Sequence, residues 1–261
     1  MRRFLKADFY RLLTSGQFYI GILGIALVYL ICGYQATYLV DVYASYFYNG
    51  WFSTAIIIYA FCAVAFSGCF LEDSEHAFWY QIIQRGTIRK YVWSKVIVCF
   101  MGAVLVSVLG VLLFSLILRT QIPFVSEINP FIDVQREYDK FGFLLYPNRI
   151  VWYFLCASAM NGLLGGIFAL LSAYLSLYEK NRIFTISAPV VGFYFLENFF
   201  TNNLQLPDTF DIWCIFNSQI NLFEKKWMDI VYAIGVSLVA VVILEKLTQR
   251  KIVREVYGTK M

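Results

Sequence analysis

Two places in this chain of 261 residues carry side chains able to do chemistry in an otherwise apolar setting. The first is Glu72 to Lys95, EDSEHAFWYQIIQRGTIRKYVWSK, which sets Glu72, Asp73, Glu75, Arg85, Arg89 and Lys90 around the aromatic pair Phe78 and Trp79. Charges of both signs flanking large rings suit docking, because the rings can fill a partner's groove while the charges form rim ion pairs. The alternative is a solvated interfacial loop with no partner. The second place is Glu197, in FYFLENFF. A carboxylate among apolar residues is costly in lipid and suggests a transport path or outer gate. An interfacial or hydrogen-bonded structural role stays open, because the apolar run ends near Phe200, about 4.5 Å further along a helix.

Much chemistry is excluded. The single histidine, His76, rules out a two-His zinc motif, and no GxxxxGK[ST] phosphate loop or GxSxG nucleophile turn occurs. The six cysteines (Cys32, Cys62, Cys69, Cys99, Cys156, Cys214) lack CxxC spacing and read as reduced packing residues. Intramembrane proteolysis would need paired acids or a Ser/His arrangement inside the spans, and Glu197 is the one acid well flanked by apolar residues. Catalysis by this chain, and a cofactor or metal bound to it, are not expected.

The elements that must position these residues are membrane helices. The composition, 60% hydrophobic, 19% aromatic and 15% charged, departs from the soluble norm of about a quarter charged residues. The net charge of +4 comes from short basic groups beside apolar runs, so membrane orientation explains it better than nucleic-acid binding. The expected fold is an all-α polytopic membrane protein, one transmembrane domain over residues 1–261. Its six transmembrane helices cover about 17–39, 51–71, 92–118, 150–178, 183–200 and 227–247, each long enough to cross a bilayer or nearly so. Residues 1–16 read as an amphipathic interfacial helix, with Phe4, Leu5, Phe9, Leu12 and Leu13 on one half and Arg3, Lys6, Arg11 and Thr14 on the other. Arg2 and Asp8 fall near its apolar arc. No small-x-small site follows the first apolar run, so that run is expected to be retained as a span.

Basic residues fix the expected orientation. The N-terminal arm, the 72–95 segment, the 179–182 turn and the 248–261 tail with Lys246 before it hold all Lys and Arg except Arg119, Arg136, Lys140, Arg149, Lys225 and Lys226. The positive-inside rule therefore puts both termini in the cytoplasm. It leaves outer loops at 40–50, 119–149 and 201–226, with Trp51, Phe52, Tyr146, Trp152, Trp213 and Trp227 as an outer aromatic belt. Pro189 is expected to kink the fifth span. Small residues four apart, Ser158–Gly162–Gly166, Ala103–Ser107 and Ala63–Ser67, mark packing seams within the chain or between two copies.

Six spans, an amphipathic N-terminal helix and a charged segment between spans 2 and 3 together resemble the permease subunit of type-2 ABC exporters. The local order Glu75, Arg85-Gly86-Thr87-Ile88-Arg89, Tyr91 and Lys95 is similar to that family's, although the turn lacks the family's frequent proline. The resemblance implies that 72–91 is a cytoplasmic coupling segment containing a helix, with Glu72, Asp73, Glu75, Phe78, Trp79, Arg85, Gly86, Thr87, Arg89 and Lys90 facing a separate ABC ATP-binding subunit that holds ATP and Mg2+. It implies a second permease subunit, as a homo- or heterodimer, in a bacterial cytoplasmic membrane. Spans 2 and 5 would line the path, making Tyr59, Ser67, Thr185, Ser187, Tyr194 and Glu197 the lining residues. The cargo expected by analogy is hydrophobic or amphipathic, such as an antimicrobial peptide. The rival readings are a partner-free membrane sensor or scaffold, and an ion-coupled secondary transporter.

Overall fold

A computed structural model describes residues 2–34, 41–51, 54–75, 87–126, 129, 132–179, 181–197 and 207–257, and these contain helices and no strand. In chain order the helices are α1 (Arg2–Thr14), α2 (Gly16–Tyr34), α3 (Val42–Trp51), α4 (Thr54–Val64), α5 (Cys69–Glu75), α6 (Ile88–Arg119), α7 (Ile132–Tyr138), α8 (Ile150–Leu175), α9 (Arg182–Glu197), α10 (Ile212–Phe216) and α11 (Lys226–Tyr257). Two short 3-10 turns, Gly142–Leu144 and Asp208–Phe210, lie between them.

Four stretches are long and apolar enough to cross a membrane: Ile56–Asp73, Ile88–Arg119, Ile150–Leu175 and Lys226–Glu255. A fifth is reached if Arg3–Thr14 and Gly16–Cys32, bent by 56° at their junction, are taken together. The remaining expected span, fifth in chain order, corresponds to α9, whose 16 residues extend about 24 Å against a hydrocarbon core of about 30 Å. Pro189 lies inside this helix without ending it. The apolar helices give the chain the character of a membrane protein.

Helices α6 and α8 form the central pair. Small residues let them meet: a Cβ on Gly162 would lie 3.0 Å from Val104 Cα, and one on Gly166 would lie 2.6 Å from the Phe100 ring. At the same crossing the Ser107 hydroxyl donates to the Ser158 carbonyl at 2.9 Å. The Ser158–Gly162–Gly166 seam thus packs within the chain, as does Ala103, which is fully buried. By contrast α11 presents exposed Trp227, Val231, Leu238, Val239 and Ile243, as a helix facing lipid does.

Several expected boundaries move. Residues 42–50, read as part of an outer loop, belong to α3, with Val42, Tyr43 and Tyr46 buried in the core. The cause is Asp41, which caps the helix by accepting from the Ala44 amide at 2.6 Å and also holds the Ser126 amide (2.9 Å) and Asn129 Nδ2 (3.1 Å). Span 2 is interrupted by a turn over 65–68 between α4 and α5. The residues from Ile88 to Tyr91, assigned to the coupling segment, already belong to α6. The expected tail from 248 continues α11 to Tyr257.

Candidate functional site

The charged stretch picked out by the sequence is organised by the residues at its two ends together with the N-terminal helix. On α1, Asp8, Arg11 and Leu12 share a face, being three and four residues apart. On α6, Tyr91, Ser94 and Lys95 do the same. At the end of α5 stand Glu72 and Asp73. These three faces meet in one ionic cluster.

Lys95 lies at its centre, 2% exposed as a side chain, with Nζ 3.0 Å from Asp8 Oδ1 and 3.0 Å from Asp73 Oδ2. Asp8 Oδ2 accepts from the Ser94 hydroxyl at 2.6 Å, and Asp73 Oδ2 accepts from the Tyr91 hydroxyl at 2.7 Å. Arg11 spans both acids of α5, donating to Asp73 Oδ1 at 2.7 Å and to Glu72 Oε2 at 2.5 Å. The ammonium of Lys95 also sits 5.3 Å from the Phe66 ring centre and 5.8 Å from that of Tyr91. Every charge in the cluster has an opposite partner, and the two buried carboxylates, Asp8 and Asp73, each have a further donor. That arrangement is the condition under which buried ions are tolerated.

This geometry assigns new places to several expected docking residues. Asp73, expected on a docking rim, is an interior residue 3% exposed, with its carboxylate committed to Lys95, Arg11 and Tyr91. Glu72 is paired with Arg11 and only partly exposed. Thr87, Arg89 and Lys90 are exposed where α6 begins. Glu75 ends α5, while His76, Phe78, Trp79, Arg85 and Gly86 lie outside the described residues.

Of the expected path residues, the structure brings two together. Ser67 and Thr185, both 2% exposed, share a small cleft with Glu72 and Gln17, between the α4–α5 turn, α9 and the start of α2. Tyr59 is buried further along, its ring 5.6 Å from Phe168 and 5.1 Å from Phe193. Ser187 and Tyr194 are exposed on α9, on the opposite side of the helix from buried Thr185. Glu197 ends α9, part-exposed, and Asn198 beside it lies outside the described residues.

Sequence reading assigned no site role to Asp8, Arg11, Tyr91, Ser94 or Lys95. The available signal was Asp8 itself, an acid on the apolar arc of an amphipathic helix, which needs a buried cation. It also passed over Glu245, 3% exposed and set in the apolar helix α11. All six cysteines are free thiols, and among the described residues no group of three or more His, Cys, Asp or Glu could hold a metal. Comparison with protein-family models, with curated proteins and with solved structures returned no match.

Proposed function

We propose that this chain is the membrane-spanning permease subunit of an ATP-driven exporter of the ABC type, driven by a separate ATP-binding subunit that carries ATP and Mg2+. In this reading it has six spans, with α9 as the short fifth, both termini are cytoplasmic, and two such subunits pair in a bacterial cytoplasmic membrane. The cargo is hydrophobic or amphipathic, an antimicrobial peptide being the best candidate. The observation that carries the reading is the Asp8–Lys95–Asp73–Arg11 cluster, which fastens α1 to both ends of the 72–95 segment. A segment so mounted can pass a push from a bound partner to α1, α5 and α6 at once. A loop tethered only by its own ends would absorb that push.

The test is whether a protein with a GxxxxGK[ST] loop is encoded beside this chain and co-purifies with it. An ATPase that co-purifies, and whose hydrolysis is uncoupled from transport by Phe78→Ala with Trp79→Ala, supports the proposal. Purification without any ATPase, with transport driven by an ion gradient, overturns it in favour of a secondary transporter. A chain that purifies alone and moves nothing fits a sensor or scaffold.

A further inference from the structure

The opposite end of the bundle from α1 is closed by a cap built from α7, the 142–144 turn and α10, and within it two neighbouring residues, Asp139 and Lys140, are wholly buried. Their side chains bind different elements. Asp139 Oδ1 accepts from the Phe141 amide at 2.8 Å, and Oδ2 accepts from the Tyr153 hydroxyl of α8 at 2.6 Å. Lys140 Nζ donates to the carbonyls of Cys214 (3.1 Å) and Ile215 (2.8 Å) in α10, and its amide donates to Ser218 at 2.8 Å. Neither residue is in an ion pair among the described residues, in contrast to the cluster around Lys95. A buried carboxylate with two neutral donors and no contacting cation is poorly compensated for the loss of water.

The neighbours show what a proton could do there. Tyr43 of α3 packs its ring 5.4 Å from that of Tyr153, and its buried hydroxyl has no hydrogen-bond partner. The groups facing Asp139 are Tyr153 of α8, Tyr43 and Tyr46 of α3, and Lys226 at the start of α11, with Lys140 on its own segment. Lys226 is itself held by the Arg136 carbonyl at 2.9 Å, and Arg136 Nε by the Leu145 carbonyl at 2.9 Å.

We propose that Asp139 is a proton-operated latch. With a proton on its carboxyl group it seats residues 132–145 on α8 through Tyr153, and when that O–H bond ionises and the proton passes to water the segment loosens. The Tyr153 hydroxyl can serve both states, as donor to the carboxylate or as acceptor from the acid, and in the second state its own hydrogen is released toward Tyr43. Burial pushes the Asp139 carboxyl up to about 7, outweighing Tyr153, the Phe141 amide, Lys226 and Lys140, which favour ionisation. Because the seated form binds the proton more tightly than the loosened form, the seat is firmest below the ordinary carboxyl range. It weakens as the pH of the bathing compartment rises through about 7. This inference holds for any cargo or energy source and does not rest on an ATPase partner.

The experiment uses the purified full chain in detergent. Amide exchange over 139–145, corrected for its intrinsic pH dependence, should quicken about tenfold per pH unit between about pH 5 and pH 7. A protonated-carboxyl infrared band should be nearly complete at about pH 5, halve near about pH 7 and vanish above it, and it should be absent from Asp139→Asn, whose exchange profile should be flat. A flat wild-type profile, a slope retained in Asp139→Asn, or a band unchanged by that substitution would each overturn the latch. If Asp139→Asn does not fold, Tyr153→Phe replaces it. Loss of a donor to the carboxylate should move the wild-type band's disappearance to higher pH, and an unmoved titration would overturn the latch equally.

Discussion

Asp8, in the first helix, and Lys95, in α6, meet 3.0 Å apart in the interior of the protein, with Asp73 on the other side of the same ammonium, also at 3.0 Å. One side chain therefore neutralises an acid from α1 and an acid from α5. Removing it leaves Asp8 without a cation and Asp73 with Arg11 alone, which is worse than never having buried them. Lys95→Met should destabilise the chain by about 3–5 kcal/mol, read as a fall in thermal midpoint in detergent. Adding Asp8→Asn to Lys95→Met should recover part of that loss. If the two single losses simply add, the ion pair carries no coupling energy and the cluster is not the fastening described above.

The Tyr91 hydroxyl donates to the same Asp73 oxygen that faces Lys95. Tyr91→Phe keeps the ring that packs 6.2 Å from Phe70 and removes only the donor. The expected loss is about 1–3 kcal/mol, the range for leaving a buried acceptor short of a partner. Equilibrium unfolding of the variant checks it, and a loss below about 0.5 kcal/mol would mean that Lys95 and Arg11 already saturate Asp73.

At the α6–α8 crossing the limit is steric. Gly162→Leu places a side chain where even a Cβ is 3.0 Å from the Val104 backbone and 3.2 Å from Ser107 Cβ. Since backbone cannot yield as a side-chain tip can, the helices must separate, at a cost of several kcal/mol. A cysteine pair placed across the crossing should then crosslink more slowly in the Leu variant than with Gly162 present. Leu238→Trp, on the exposed face of α11, should by contrast be tolerated and quenched by brominated lipid, while Ala233→Trp, at a position with no exposed surface, should unfold the chain or escape the quencher.

Lys140 supplies a pH test separate from Asp139. Burial pushes its ammonium down to about 8 from an ordinary value of 10.5. The folded form therefore prefers the neutral amine, and the associated stability is complete above the ordinary value and lost as pH falls through about 8. The wild-type thermal midpoint should rise relative to that of Lys140→Met between about pH 8 and pH 10. Parallel curves would show that Lys140 stays charged against the Cys214 and Ile215 carbonyls throughout.

The helices most legible in the sequence are those built on a long apolar run: α6, α8 and α11 begin within about four residues of where hydropathy puts them. What hydropathy could not see was capping and pairing. Asp41 turns an apparent loop into α3 because its carboxylate satisfies amides from two segments, and nothing in a window of ten residues reveals the second. The tail was cut at 247 because charged residues accumulate there, yet a helix leaving lipid has no reason to unwind while pairs such as Lys251–Glu255, at 3.2 Å, lie one turn apart. The site was half legible for the same reason. The charges of 72–95 were plain, but which of them face inward depends on Asp8 and Arg11, more than sixty residues away along the chain.

The seat of α1 also bears on the order in which the protein is made. Asp8 and Arg11 leave the ribosome long before their partners on α5 and α6, so the first helix has nothing to close against while α2, α3 and α4 are being synthesised. Its closure is a late event that waits for Lys95, and α1, although translated before α5 and α6, is expected to become protected from a protease only after them during synthesis.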